Sequence, residues 1–351
     1  MKRVNVLLKP VSDRCNLSCD YCFYKGTSAR LDNNNCLHMS EFTMQTVVNS
    51  AFEAAEEGVG FIFQGGEPML WGIDAFRGFA DYVKAANKDG IKVDLSIQTN
   101  GTLIDEEWAR FFKTEGFFVG VSLDGSKRQN DRHRGASTDK VTVGLELLRS
   151  HGISYNILSV ITEQTLESPD EFYDALKEHR FIQPIPVLKK EGSLDPIKYG
   201  EFLTKIFDRY YEDIMRGDFI SILPFDGILM RLFGKSCGSC AVDGRCGGYF
   251  VVEADGGVYP CDFYVDKDHI LGNVKQITFT EIAKTKKATD FIKESYIIPE
   301  KCKACKWASL CGGGCKKARI NNEYLYCESM RLFLEKTEKK FLHLQKILMR
   351  R

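Results

Sequence analysis

Along this chain, apolar and polar positions fall in blocks whose period switches repeatedly between that of a strand and that of a helix. Short apolar runs at Val4–Lys9, Gly60–Phe63, Lys92–Ile97, Phe118–Ser122 and Ser154–Val160 read as buried strands. Between them, Ser40–Ala55, Phe76–Asn87, Asp105–Thr114, Val141–His151 and Pro169–Glu178 carry apolar residues at helical spacing, with Ser40 standing at an N-cap position. Phe181–Leu188 is a weaker sixth strand, because Pro184 and Pro186 remove ladder donors. Strand–helix units in series imply parallel strands, since each crossover needs a helix. Six such units fall short of a complete eight-stranded barrel, so the expected architecture is α/β, a partial (β/α)6 TIM-type barrel.

Polar, glycine-rich stretches follow the strands at their C-terminal ends, where such a barrel collects its chemistry. They are Gly65–Gly66–Glu67–Pro68, Gln98–Thr99–Asn100–Gly101 and Asp124–Gly125. Beyond the sixth strand the pattern predicts a helix over Ile197–Arg216. A hairpin pairs Phe250–Val252 with Val258–Tyr259 around Asp255–Gly256–Gly257, and an amphipathic helix runs over Met330–Met349. The expected division is a barrel over 1–192, a helical connector over 193–235, a cysteine-rich domain over 236–329 and a C-terminal helix over 330–351.

Composition narrows the function. With 351 residues, 44% hydrophobic and 27% charged, the chain can bury a large core and is not disordered. Its 48 Lys+Arg balance 48 Asp+Glu, which argues against a nucleic-acid binder. No apolar run reaches a membrane span, and the opening MKRVNVLLKP is too short for an export signal, so a cytoplasmic protein is expected.

Thirteen cysteines, an odd number in a long chain without an export signal, point away from a disulfide scaffold and toward metal ligands. Cys15, Cys19 and Cys22 read C-x3-C-x2-C directly after the first strand, followed by Cys36; the other nine lie between Cys237 and Cys327. Three thiolates on one loop suit three irons of a [4Fe–4S] cube and leave the fourth iron open. A zinc ion with Cys36 as fourth ligand is the competing reading. In the second territory eight thiolates suit two fully ligated cubes, and two zinc ions would satisfy the same count.

The C-x3-C-x2-C loop after the first strand, with GGEP after the second, resembles the radical S-adenosylmethionine superfamily. The pattern Cys246-x9-Gly256-x4-Cys261, Cys302-x2-Cys305-x5-Cys311-x3-Cys315 and Cys327 resembles its small cysteine-rich SPASM extension. The resemblance implies that the open iron binds S-adenosylmethionine and that one electron then generates a 5′-deoxyadenosyl radical. It implies cofactor contacts from Tyr21, Gly65, Gly66, Glu67, Asn100, Ser122, Arg134 and Leu188. It assigns Cys240, Cys246, Cys261 and Cys315 to one auxiliary cluster and Cys302, Cys305, Cys311 and Cys327 to another, for three [4Fe–4S] clusters in all. Cys36 and Cys237 are left over as free thiols.

The stretches CNLSCDYCFY, FIFQGGEPML, SIQTNGTLIDEEWA, VGVSLDGSK, YNILSVIT, FVVEADGGVYPCDFYV and CKWASLCGGGC resemble the anaerobic sulfatase-maturating enzymes. That likeness implies oxidation of a Cys or Ser side chain in a partner sulfatase to Cα-formylglycine. Asp262 would act as proton acceptor, and Tyr24, Gln64 and Gln98 would face the substrate. It further implies a reducing electron donor such as flavodoxin or ferredoxin, and a monomer. Two departures put the partner in question. The segment 183–192 is shorter than in those enzymes, and Ser126 and Asn130 replace the usual Pro and His after the fourth strand. A maturase that forms a thioether or carbon–carbon crosslink in a ribosomal peptide is the rival enzyme. A non-catalytic iron–sulfur scaffold is the rival from another class.

Overall fold

A computed structural model of the protein describes residues 1–31, 38–188, 194–321 and 323–349. Cys36 and the part of segment 183–192 beyond Leu188 lie outside the described residues. The chain divides into two compact units that are not contiguous in sequence. The first comprises Met1–Ser122, Arg134–Tyr155 and Gly247–Lys293; the second comprises Leu123–His133, Asn156–Cys246 and Glu294–Arg351.

In the first unit, β1 (Arg3–Lys9), β2 (Gly58–Phe63), β3 (Lys92–Thr99) and β4 (Phe118–Ser122) pair in sequence order, all parallel. Helices Glu41–Ala54, Ile73–Ala86 and Glu106–Glu115 make the crossovers. Ser40 and Asp105 cap the first and third of these, accepting from the amides of Thr43 and Trp108. The apolar strand positions are closed to solvent: Val6, Val59, Phe61, Phe63, Val119 and Val121 are all 0% exposed. Phe63 is the hub of an aromatic cluster, with ring centroids 4.6 Å from Phe76 and 4.8 Å from Phe79.

The hairpin of β8 (Phe250–Glu253) and β9 (Gly257–Tyr259) belongs to this same unit. Strand β8 pairs in parallel with β1, placing Lys9 opposite Glu253. A further short strand, β10 (Gly272–Asn273), pairs antiparallel with β9. Tyr24, Leu7, Val251, Tyr259 and Val265 form the buried cluster that seals this edge of the unit.

The second unit carries β5 (Tyr155–Ile161, all but its first residue), β6 (Phe181–Pro186) and β7 (Ser221–Ile222), paired in parallel in that order. Strand β6 forms with its two prolines beyond Phe181 and Ile182, the residues that pair with β7. Its long helices are Pro196–Met215 and Cys327–Leu348, where Phe207 stacks on Phe341 at 4.1 Å. Helix Leu223–Leu232 lies between these two in sequence and is absent from the period-based expectation. Among the described residues no helix is long and apolar enough to cross a membrane.

Phe63→Ala should cost about 3–5 kcal/mol, the range for deleting a fully enclosed aromatic ring. Urea unfolding should show this as a lowered midpoint with an unchanged slope.

Candidate functional site

Strand β1 ends at Lys9, and the turn after it leads into the loop holding Cys15, Cys19 and Cys22. Cys15 and Cys22 are exposed and Cys19 is half-buried. The loop is organised before any metal is considered: the Leu17 amide donates to the Cys15 sulfur at 3.3 Å, and the Cys22 amide donates to the Cys19 carbonyl at 3.3 Å. Asn100, from the end of β3, donates to Cys15 Sγ at 3.7 Å and to Asn16 at 2.8 Å.

The Gly65–Gly66–Glu67–Pro68 loop packs directly against this turn. Gly66 and Glu67 donate to the carbonyls of Ser12 and Arg14 at 2.7 and 2.8 Å. A Cβ on Gly66 would lie 1.9 Å from the Arg14 carbonyl oxygen, and Gly65 has φ +132°, so both positions require glycine. Glu67 is fully enclosed. Its carboxylate accepts from the Met69 amide at 3.1 Å, the Thr99 hydroxyl at 2.8 Å and the Asn100 amide at 2.8 Å. Burial pushes its carboxyl up to about 7, against the pull of those donors. The side chain thus braces one loop against the next, a role its motif did not reveal.

Arg134 is buried, with its guanidinium 5.4 Å from the centre of the Tyr21 ring. Gln98 donates to Ser122 at 3.1 Å. These two pairs, drawn from separate stretches of sequence, are brought together. Leu188 is half-buried at the end of the described segment after β6, in the other unit.

Asp262 follows Cys261 after the hairpin. Tyr249 donates to its carboxylate at 3.0 Å, and the Cys261 thiol donates to the same oxygen at 3.3 Å. Burial and the adjacent carboxylate push the Cys261 thiol well above its ordinary value. Phe263 packs on Phe23 at 4.5 Å. Tyr24 is buried and its hydroxyl donates to Glu253, while Gln64 accepts from Lys9 Nζ at 3.5 Å. Lys9, Glu253 and Tyr249 carried no assignment from sequence; the available signal was the charged residue closing each of two apolar strands, VNVLLK and FVVE.

In the second unit, burial and then neighbouring thiols of the set Cys302, Cys305, Cys311 and Cys327 disfavour ionisation of Cys302, Cys311 and Cys327. Burial pushes Cys311 up to about 11. Cys246 and Cys315 interact in the same way. Cys240 opens the short helix Cys240–Asp243, and Cys237 donates to Asp243 at 3.8 Å. Among the described residues no three Cys, His, Asp or Glu side chains converge on one point as ligands of a single metal ion do. A four-iron cube distributes its ligands over separate corners, and four neighbouring thiols are the donor set it takes.

Arg319 organises these loops. Its guanidinium donates to the carbonyls of Gly313, Ser295, Gly244 and Gly314 at 3.0, 2.6, 2.9 and 2.8 Å, with longer contacts to Ile297 and Gly312. Gly312, Gly313 and Gly314 all have φ between +66° and +73°, which turns the Cys311–Cys315 loop inward.

Residues 10–176 match the Radical SAM superfamily and residues 234–306 match SPASM, the iron–sulfur cluster-binding domain. A cysteine-type anaerobic sulfatase-maturating enzyme of Clostridium novyi (strain NT) is 39% identical over 99% of both chains. The chain belongs to the anaerobic sulfatase-maturating enzyme family. A serine-type member of that family from Bacteroides thetaiotaomicron is 31% identical, over 91% of this chain and 84% of its own. Among solved structures, native anSMEcpe with bound AdoMet superposes with a TM-score of 0.93 at 37% identity, over 98% of this chain and all of that one. The same protein with bound AdoMet and Cp18Cys peptide gives the same score. At Ser126 and Asn130, where the chain departs from the family, it supplies its own contacts within the second unit: Asn130 accepts from the Asp124 amide at 3.2 Å, and Ser126 donates to Glu171.

Two expectations follow. Because folding raises the Glu67 carboxyl from 4.5 to about 7, its contribution to stability is complete below pH 4.5 and lost as pH rises through about 7. Glu67→Gln should therefore remove up to about 3 kcal/mol of the wild-type loss of stability between pH 5 and pH 8, read from urea midpoints. An identical slope in both proteins would contradict the buried-carboxyl account. Arg319→Lys should destabilise nearly as much as Arg319→Ala, by at least about 2 kcal/mol, because an ammonium cannot reproduce the planar fork.

Proposed function

We propose that this protein is a cysteine-type anaerobic sulfatase-maturating enzyme, oxidising a cysteine side chain of a sulfatase to Cα-formylglycine. The observation that carries this reading is the 39% identity to cysteine-type enzymes over essentially the whole of both chains. The family's peptide-bound structure supports it. The proposed assembly holds one [4Fe–4S] cluster on Cys15, Cys19 and Cys22. Auxiliary clusters lie on Cys240, Cys246, Cys261 and Cys315, and on Cys302, Cys305, Cys311 and Cys327. The functional division is then 1–192 for the radical domain, 193–235 for the connector, 236–329 for the auxiliary-cluster domain and 330–351 for the final helix.

When bound, these clusters and S-adenosylmethionine supply the one-electron chemistry: a carbon radical that takes hydrogen from the target Cβ, and a sink for a second electron. The chain's residues do the rest. The Gly65 and Gly66 backbone, with Glu67 bracing it from behind, presents carbonyls to the cofactor's amino group. Tyr21 with Arg134, Ser122, Asn100 and the Leu188 backbone hold the remainder of the cofactor. Asp262 accepts the thiol proton, and Tyr249 orients the carboxylate that receives it. Loss of the Cβ hydrogen, the thiol proton and one electron leaves a thioaldehyde at the target. Water converts this to the aldehyde and releases the sulfur as hydrogen sulfide. Tyr24, Gln64 and Gln98 face the substrate. Electrons arrive from a flavodoxin- or ferredoxin-type donor, and the enzyme works as a cytoplasmic monomer.

Asp262→Asn should lower peptide oxidation about 10²–10⁴-fold while cleavage of S-adenosylmethionine persists, because only the proton acceptor is lost. Mass spectrometry of a cysteine-containing sulfatase peptide after anaerobic turnover reads the first quantity and 5′-deoxyadenosine reads the second. Normal maturation by this variant would overturn the assignment.

A further inference from the structure

Three residues assigned to the substrate by family likeness, Tyr24, Gln64 and Asp262, come from three separate segments. A fourth, unassigned residue connects them. Lys9, the last residue of β1, is 1% exposed. Its ammonium lies 4.1 Å from the centre of the Tyr24 ring and 3.5 Å from the Gln64 side-chain oxygen. The carboxylates of Asp262 and Glu253 attract it electrostatically through the intervening protein.

We propose that Lys9 is a positioning residue for the side-chain oxidation, its enclosed ammonium holding Tyr24, Gln64 and Asp262 in one arrangement to receive the target cysteine.

The surroundings argue for a built site. A buried ammonium is costly unless it is compensated, and Glu253, its register partner on β8, is 0% exposed and attracts it, although burial holds that carboxyl up at about 7. Tyr24 donates to one oxygen of Glu253, while the other oxygen has no hydrogen-bond partner among the described residues. Burial alone would lower the Lys9 ammonium's affinity for its proton, and the facing carboxylates oppose that. The stem is confined as well. A Cβ on Gly65 would meet Lys9 Cδ at 3.2 Å, so the glycine loop passes directly over the lysine. A methionine here would satisfy the strand's packing, release the contacts to Tyr24 and Gln64 and remove the attraction to Asp262.

The proposal rests on the sulfatase-maturating function above, and the test separates the two. Lys9→Met alone leaves Glu253 as an unpaired buried charge, so the informative protein is Lys9→Met/Glu253→Gln, which removes both charges. With the reconstituted holoenzyme and a cysteine-containing sulfatase peptide, cleavage of S-adenosylmethionine without peptide should match wild type. Oxidised peptide formed per 5′-deoxyadenosine should fall about 10- to 100-fold, the effect of a small misplacement at the reacting centre. Affinity for a fluorescent copy of the peptide, measured without reductant, should weaken about tenfold, because the side chains that meet the peptide are no longer held in place. Lys9→Arg, which keeps the charge at a different reach, should recover part of the affinity and little of the coupling. Wild-type coupling and affinity in the double variant would overturn the proposal, as would a proportional loss of cofactor cleavage. A wild-type protein that yields no formylglycine would defeat the function instead, and the affinity measurement would still decide Lys9.

Discussion

Enclosing the Glu67 carboxylate is the constraint from which the candidate site is built. A carboxyl group away from water must find donors, and Glu67 finds them in Met69, Thr99 and Asn100. Two of those donors belong to the end of β3 and one to the turn after β2. The backbone of Glu67 itself is held by the Arg14 carbonyl, one residue before the first cysteine. One buried carboxyl group therefore sets the spacing between the cysteine loop and the ends of two neighbouring strands.

Much of this was legible in the residues. Strands β1 to β5 were readable because parallel strands enclosed on both faces must be apolar runs, and their helices because each has one wet face. The cysteine spacings announced a cluster chemistry that no periodicity could have supplied. Other features depend on partners far away in the chain. Helices Leu223–Leu232, Phe279–Lys284 and Lys286–Ser295 span only 10, 6 and 10 residues, too short for periodicity alone, and tertiary packing decides them. The hairpin was visible through Asp255–Gly256–Gly257, but its parallel pairing with β1 was not, because register between distant strands leaves no local trace.

The same distinction runs through the site. Motif spacing identified the cysteines and the glycine loop, whereas the partnership of Lys9 with Glu253 joins residues 244 positions apart in sequence. Each looks like an ordinary polar end to an apolar strand. Only their register shows that a buried amine and a buried carboxyl group stand side by side on adjacent strands. Glu67 illustrates the converse: its motif drew attention to it as a cofactor contact, and its geometry adds a bracing role behind the loop.

The turn at Gly312–Gly314 has a consequence for how the small domain is loaded. Three successive left-handed residues aim their carbonyls at one guanidinium, so the hairpin bearing Cys311 and Cys315 is already shaped by organic contacts alone. The entropic toll of ordering that stretch falls on polypeptide folding rather than on iron delivery. Under the proposed assignment Cys311 and Cys315 belong to different clusters, so inorganic sulfide and iron would meet a loop already moulded on both sides.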